Sequence, residues 1–386
     1  MKIEDICTRI CSGGTPKSGK AEYYENGTIP WLNTKEINFN RIQATEAFIT
    51  EEGLNNSSAK WIKPHTVIVA MYGATAGRVA VAEIPLTTNQ ACCNLEVDET
   101  IADYRYIYYW LKQNFDNIAG LANGGAQQNL SAKVIRQIEI NLPDLIKQRS
   151  IANFLDSFDS KIEANAKLNG YLYEFMGALY DELFAYDESQ YGTIYDIANV
   201  IYGAAFKSSL FNEDKEGYPL IRIRDLSTFS PQFYTAENHP KRTFIEPGFV
   251  VAGMDAEFVP TFWLGEKAVL NQRVCHFAPP EGTAVSESYL LFALKPLLAY
   301  IQNYASGTTV AHMGKSDLDA LKVPLPKEDD LKKFAELAEP MRQTIVSNSM
   351  ESRRLAELRD ALLPKLMSGE IDVSKIDLAL LNSHLA

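Results

Sequence analysis

One stretch of the sequence matches a motif for binding nucleotide phosphates. GTPKSGK, from Gly14 to Lys20, fits the GxxxxGK beginning of a phosphate-binding loop. The next residue is Ala21, where such loops carry the Ser or Thr that holds Mg²⁺. No clear strand precedes the stretch, and the following AEYYENGTIP is too rich in turn residues for the helix that the motif requires. The pattern therefore gives little support to nucleotide binding.

Residues for catalysis or metal binding are equally sparse. The five histidines are scattered, and none belongs to an HExxH motif or a Cys/His zinc spacing. There is no GxSxG nucleophile elbow, no glycine-rich loop suited to a methyl donor, and no Asn-Pro-Pro-aromatic tetrapeptide of the kind that amino-methyltransferases use. The five cysteines contain no CxxC and are predicted to be buried thiols. No catalytic, cofactor-binding or metal-binding residue is predicted, and the sequence favours a binding protein over an enzyme.

Length and charge further limit the possible domain organisation and binding partners. A chain of 386 residues predicts two or three domains. The net charge of −12, taken alone, argues against nucleic acid as a partner, because phosphate contacts drive such binding. No segment is uniformly basic, so a DNA-binding face would be a local cluster or would borrow charge from a partner. No signal peptide and no apolar run of about 18–20 residues is seen, so a cytoplasmic protein without membrane contact is expected.

The sequence contains a long internal repeat. LTTNQACCNLEV from Leu86 returns as AVLNQRVCHF from Ala268, and IPWLNTKEI from Ile29 returns as YPLIRIRDL from Tyr218. Two further pairs, NGGAQQNL with SGTTVAHM and IEINLP with LKVPLP, both recur 183 positions later in the same order. A period this long indicates a duplicated domain rather than a solenoid. Both copies hold short strand-like runs, such as HTVIVAMY and GFVVAGM, together with helical patterns, which predicts an α+β fold.

Each copy is followed by a long helical pattern. Apolar residues three and four positions apart run from 148 to 184 and again from 331 to 366, with Pro340 expected to bend or break the second helix near its start. One such helix cannot bury its stripe alone, so the two are expected to pack on each other or on helices of another protein. The residues predicted to serve partner contact are Phe158, Ile162, Leu172, Leu179, Ile345, Leu355 and Leu362.

These features together resemble the specificity subunit of type I restriction–modification systems over nearly the whole length. The resemblance is carried by the order of SGGTPKS, IPWLNTKEI, GATAGRVAV, TTNQACCNL, NGGAQQNLS, INLPDLIKQRSIANFLDSFDSKIE and ALLPKLMSGEIDV. It implies two globular α/β target-recognition domains, 1–146 and 187–328, separated by two long antiparallel helices, 147–186 and 329–370, that form a coiled-coil spacer. A tail would occupy 371–386.

The resemblance also implies partners. Each recognition domain would read one half of a bipartite site on double-stranded DNA, and the differing loops predict an asymmetric site. The helices would dock two methyltransferase (M) subunits, and restriction (R) subunits, a motor and nuclease, can join the complex. S-adenosylmethionine is expected in the methyltransferase, which flips adenine for methylation, and no cofactor in this chain.

Candidate DNA-contacting residues follow from side-chain chemistry, since Arg and Lys suit guanine, and Asn and Gln suit adenine. In the first domain they are Thr15, Lys17, Lys20, Thr34, Lys35, Arg78, Gln127, Gln128 and Asn129. In the second they are Lys207, Ser208, Arg222, Arg224, Arg273, Thr308, Thr309 and His312. The pairs Asn89-Gln90 and Asn271-Gln272 recur in both copies, which favours a loop-holding role over base reading, with backbone contact as the alternative.

Two other functional classes remain open from the sequence. One is a structural adaptor whose paired domains bind protein or glycan, which the negative charge would suit. The other is a stand-alone DNA methyltransferase or nuclease with a cryptic site. The absence of a glycine-rich loop suited to a methyl donor argues against this class. The second copy also departs from the family pattern, because YGAAFKSS replaces the Gly-Gly-Thr-Pro run.

Overall fold

The computed structural model describes residues 1–121, 130–184, 190–305 and 312–376. These residues form two compact units. The first unit comprises Met1–Ser160 together with the chain from Ala356 onward, and the second comprises Lys161–Leu355. Each long helix therefore contributes one part to each unit. Within the described ranges, no helix is both long and apolar enough to span a membrane.

The first unit is built on two mixed sheets. Its strands are β1 (Cys7–Ser12), β2 (Ile29–Leu32), β3 (Asn40–Ile42), β4 (Ala47–Ile49), β5 (Trp61–Ile62), β6 (Val67–Ala70), β7 (Val79–Ala82), β8 (Leu86–Thr88) and β9 (Cys92–Val97). One sheet has the order β1-β9-β6-β7-β3 and the other has the order β4-β2-β8-β5. β6 and β9 are buried along their whole length. β6 is a continuous apolar run, whereas β9 also buries Asn94 and Glu96. Strand β1 lies just before GTPKSGK, contrary to the sequence-based expectation, but only a 3₁₀ turn, Ala21–Tyr23, follows that stretch.

The second unit repeats this plan. Its strands are β10 (Gln190–Gly192), β11 (Asn199–Tyr202), β12 (Phe211–Asn212), β13 (Tyr218–Ile221), β14 (Tyr234–Thr235), β15 (Phe244–Ile245), β16 (Val250–Gly253), β17 (Thr261–Phe262), β18 (Ala268–Leu270), β19 (Val274–Ala278) and β20 (Val323–Leu325). The sheet orders are β11-β19-β16-β17 and β12-β14-β13-β18-β15, with β10 and β20 forming a separate pair.

Strand register confirms the duplication. The two units share a parallel strand pair at the same place: Trp31 lies opposite Thr87 in β2 and β8, and Leu220 lies opposite Val269 in β13 and β18. These positions are the ones that the sequence repeat equates. Because a register slip of one residue would turn every side chain to the other face, matched registers require matched cores.

The helices divide into short packing helices and two long ones. They are α1 (Glu51–Asn55), α2 (Tyr104–Gln113), α3 (Phe115–Gly120), α4 (Ala132–Gln137), α5 (Leu145–Phe184), α6 (Glu287–Ala305), α7 (Lys315–Asp319) and α8 (Glu328–Ser368). The long helices α5 and α8 begin and end within two residues of the expected bounds. The expectation of a break at Pro340 is wrong, because α8 continues through it.

The two long helices pack against each other, as their apolar stripes predict. In the second unit, Asn165 of α5 donates to Glu351 Oε2 of α8 at 2.7 Å. One turn later along α5, the Oδ1 of Asn169 accepts from Asn348 at 2.8 Å. Since the α5 positions rise while the α8 positions fall, the helices are antiparallel here. In the first unit, Arg359 of α8 forms an ion pair with Asp159 of α5.

Candidate nucleic-acid interface

In the first unit, several loops meet at one edge of the paired sheets. This surface, called here the first loop cluster, consists of residues 13–20, 34–36, 71–78 and 89–91. Hydrogen bonds tie the loops together: Gly14 N donates to Thr88 O at 2.9 Å, and Met71 N donates to Ala91 O at 2.8 Å. The Asn89 side chain donates to Asn33 Oδ1 at 3.3 Å and accepts from Ala91 N at 3.0 Å. Asn89 therefore holds the cluster together.

The second unit has an equivalent surface, the second loop cluster, made of residues 203–210, 223–225, 254–258, 271–273 and 312. Its ties match those of the first: Met254 N donates to Arg273 O at 2.9 Å, and Asn271 N donates to Ile221 O at 3.1 Å. Both clusters begin at a glycine that no other residue could replace without movement. A Cβ at Gly13 would lie 2.0 Å from Thr88 O, and one at Gly203 would lie 2.1 Å from Asn271 O.

The candidates of the first cluster are mostly exposed, but several already have partners. Thr15, Lys17, Lys20 and Lys35 are exposed, and Thr34 and Arg78 are half-buried. Lys20 pairs with Glu22 at 3.2 Å, and Tyr23 and then Glu22 raise the pKa of Lys20. Lys35 pairs with Glu46 at 2.6 Å, which raises the pKa of Lys35. Arg78 donates to Asn38 Oδ1 at 2.9 Å. Surface pairs of this kind are weak and can exchange partners with phosphate.

In the second cluster, Arg222 has a structural position. Its guanidinium lies 3.1 Å from Asp225 Oδ2 and 4.3 Å from the centre of the Phe233 ring. The backbone N–H of Arg222 donates to the same carboxylate at 2.9 Å, which closes the 3₁₀ turn Ile223–Asp225. The equivalent residues in the first unit, Asn33 and Glu36, close the same turn. Arg222 is therefore occupied in holding its loop.

Other candidates of the second cluster are open to solvent. Lys207, Ser208 and Arg224 are exposed, and in the described part of the chain Arg224 has no ion-pair partner. Arg273 and His312 are about half exposed, and both contact Asp255. The remaining candidates, Gln127, Gln128, Asn129, Thr308 and Thr309, lie outside the described residues.

Sequence reasoning missed Asp255. It lies one position after Met254, and Met254 and Met71 make matching backbone hydrogen bonds in the two units. Aligning the two copies through these methionines would have placed Asp255 opposite Tyr72, at the tip of the same loop. Residue types that suit phosphate and bases do not include a carboxylate, so side-chain chemistry alone does not point to Asp255.

The predicted partner-contact residues are largely inside the molecule. Phe158, Ile345 and Leu355 are buried, and Ile162, Leu172, Leu179 and Leu362 are partly buried. Leu172 and Leu179 pack against the core of the second unit. On the part of α5 that belongs to the second unit, the exposed large apolar residues are instead Leu168, Tyr171 and Phe175, with 44%, 67% and 58% of their surface accessible. Their spacing of three and four residues places them on one face.

Comparison with known proteins gives one consistent result. The family model "Type I restriction modification DNA specificity domain" matches twice, at residues 1–172 and 186–352. The specificity subunit of type I restriction enzyme MjaIX from Methanocaldococcus jannaschii is 26% identical, covering 97% of this chain and 94% of that protein. The EcoBI specificity subunit from Escherichia coli is 32% identical over 45% of this chain and 38% of its own length.

The fold agrees with these relatives. The crystal structure of the type I restriction–modification S subunit from M. genitalium superposes with a TM-score of 0.62 at 19% identity, covering 95% of each chain. The two family matches together account for most of the sequence, one for each copy of the repeat. The chain therefore belongs to the family of DNA specificity subunits of type I restriction–modification systems, which recognise DNA and are not the catalytic subunits.

Proposed function

We propose that each loop cluster reads one half of a bipartite, asymmetric DNA site, and that the long helices dock two methyltransferase subunits. The observation that carries this proposal is the matched framework with mismatched loops. Positions that hold the clusters together are the same in both units, such as Asn89 and Asn271. Positions at the loop tips differ: Tyr72 corresponds to Asp255 and Ala91 to Arg273. A fixed scaffold with variable loops suits two different recognition tasks.

The net negative charge of the chain supports a model in which partner subunits supply part of the DNA-binding surface. The chain carries 49 acidic and 37 basic residues, and basic side chains outnumber acidic ones in the first loop cluster but not in the second. Exposed Lys17, Lys207 and Arg224 suit phosphate contact, while methyltransferase subunits would supply the rest of the positive surface. We place S-adenosylmethionine and the methyl transfer itself in those subunits, and DNA cleavage in restriction subunits.

The apolar face of Leu168, Tyr171 and Phe175, called here the α5 outer face, suits a protein partner. Three large side chains with about half or more of their surface accessible would be costly to leave in water on one face. A neighbouring face of α5 is already occupied, since Met176 is buried in the core of the second unit. We assign the α5 outer face to methyltransferase docking.

Mapping methylated adenines tests the proposal directly. The source genome would be sequenced for methylation with the gene present, deleted and restored. The expected result is one asymmetric two-part motif that loses methylation on deletion and regains it on restoration. A symmetric motif, a continuous motif, or methylation independent of this gene would contradict the proposal.

A further inference from the structure

A three-residue contact distinguishes the second loop cluster from the first. Asp255 Oδ1 lies 2.6 Å from His312 Nδ1, and the two carboxylate oxygens lie 3.4 Å from Arg273 Nη1 and Nε. Asp255 is the least exposed of the three, with a quarter of its side chain accessible against about half for the other two. The carboxylate therefore lies at the base of the group, and the two nitrogen-rich side chains are presented around it.

The backbone fixes all three residues before any ligand arrives. Asp255 and His312 form an antiparallel bridge. Met254, next to Asp255, donates to Arg273 O at 2.9 Å and accepts from Met313 N at 2.8 Å. These bonds hold the three positions to one another independently of the side chains.

The turn after Asp255 is held in an unusual conformation. Ala256 has φ of +64°, a left-handed backbone that non-glycine residues seldom adopt. Gln302 of α6 clamps this turn from both sides: its Nε2 donates to Ala256 O at 2.6 Å, and its Oε1 accepts from Phe258 N at 2.9 Å. Strained residues persist only where the surroundings determine them, and they gather at functional loops.

A carboxylate on a DNA-facing surface weakens the attraction to phosphate, so Asp255 is expected to have a role other than DNA affinity. An arginine reads guanine best when its planar fork is held for two parallel hydrogen bonds to O6 and N7. Asp255 contacts Nε and Nη1 of Arg273, which restrains the guanidinium and leaves N–H groups for a base. The same carboxylate accepts from His312 Nδ1, which leaves Nε2 as the second hydrogen-bonding atom of that ring.

We propose that Asp255 is a positioning residue that orients Arg273, flanked by His312, to recognise one guanine in the half-site read by the second unit. This inference rests on the proposed function. The first unit has no counterpart among its described residues, since Tyr72 and Ala91 take the places of Asp255 and Arg273. The guanine requirement therefore belongs to one half-site only.

The test uses the chain assembled with its methyltransferase and a DNA library randomised in both half-sites. Methylated molecules would be sequenced for the wild type, Asp255→Asn, Arg273→Lys and the control Asp214→Asn, which removes an exposed carboxylate between β12 and β13 of the same unit. Arg273→Lys should reduce discrimination at one guanine at least tenfold. Asp255→Asn should reduce discrimination several-fold at the same guanine, although it removes a negative charge. Asp214→Asn should leave the base preferences of both half-sites unchanged.

Three results would overturn the inference. Asp255→Asn could raise methylation equally on all sequences, which would make the carboxylate a simple electrostatic repellent. Both Asp255→Asn and Arg273→Lys could leave every base preference intact. The position at which Arg273→Lys loses discrimination could require a base other than guanine. A wild-type complex with no two-part preference would instead contradict the proposed function, so the two failures are distinguishable.

Discussion

At the scale of single residues, a carboxyl group is buried in the core of the second unit. Glu287 is buried, accepts from Val250 N at 2.7 Å and lies 3.9 Å from His276 Nε2. Burial raises the pKa of Glu287 to about 8 and lowers that of His276. Both side chains are therefore favoured in their neutral forms, as expected where water cannot solvate a charge.

This raised pKa predicts a pH-dependent stability. A carboxyl whose folded pKa lies above its ordinary 4.5 stabilises the fold fully below that value and loses this contribution as pH rises to about 8. Glu287→Gln mimics the protonated acid, so it should gain stability relative to the wild type, on the order of 3 kcal/mol, between these limits. Denaturant unfolding at several pH values would measure the difference. A difference that stays constant over this range would contradict the buried-acid assignment.

Residue types indicate candidate side chains for DNA contact but not which of these side chains already have a partner in the fold. Arg222 and Arg273 look equivalent in sequence, each in a loop next to a strand. The structure separates them, because Asp225 and Phe233 occupy the guanidinium of Arg222, whereas Arg273 remains half exposed. The partner of Arg222 is local, since Asp225 follows three positions later, whereas the fold brings Asp255 to Arg273 from a separate loop, which no local pattern reveals.

At the scale of elements, the long helices were the most predictable part, because their apolar period extends over some forty residues. The helix break expected at Pro340 does not occur, for a physical reason. Pro340 is exposed, and so is Glu336, whose carbonyl loses its helical N–H donor and lies on the solvent side of the helix. Buried Phe334, Ala338 and Ile345 hold the helix on both sides of the proline. Packing outweighed the local preference of one residue.

The helix pair contains a polar seam that should fix its register. Asn165 is 3% exposed and donates to Glu351 Oε2 and Ser352 Oγ. Asn165→Asp would place a second carboxylate against Glu351 and should destabilise the second unit by about 2–4 kcal/mol. Adding Glu351→Gln should recover much of that loss, because it removes the like charge. Thermal unfolding of the single and double variants would measure both effects, and additive losses would refute the repulsion.

The α5 outer face supplies a second prediction about an element. Phe175→Ser should lower co-purification with the methyltransferase subunit at least tenfold and leave the fold intact, since Phe175 is 58% exposed. Tyr300→Ser is the matched control, because Tyr300 is a comparably exposed aromatic residue on α6. Equal co-purification of both variants with the partner would remove the α5 outer face from the docking surface.

At the scale of the whole molecule, the sequence repeat identified the architecture, and the strand registers confirmed it. The pairing of β2 with β8 and of β13 with β18 follows the repeat residue by residue. What differs between the copies could not be predicted in the same way. The contact of Asp255 with Arg273 and His312 depends on a loop with an unusual backbone angle, and unusual angles have no general sequence signature outside glycine.

Net charge leads to the last prediction. Phosphate contacts release counterions, so the salt dependence of DNA affinity reports how many basic groups bind phosphate. In this chain many loop-cluster cations already face carboxylates, as Lys20, Lys35 and Arg273 do. The isolated chain should therefore bind its target weakly, with a shallow slope of log affinity against log salt. Addition of the methyltransferase should raise the affinity at least a hundredfold and steepen the slope. Fluorescence anisotropy between about 50 and 200 mM salt would measure both quantities, and equal slopes with and without the methyltransferase would show that this chain alone neutralises the phosphates.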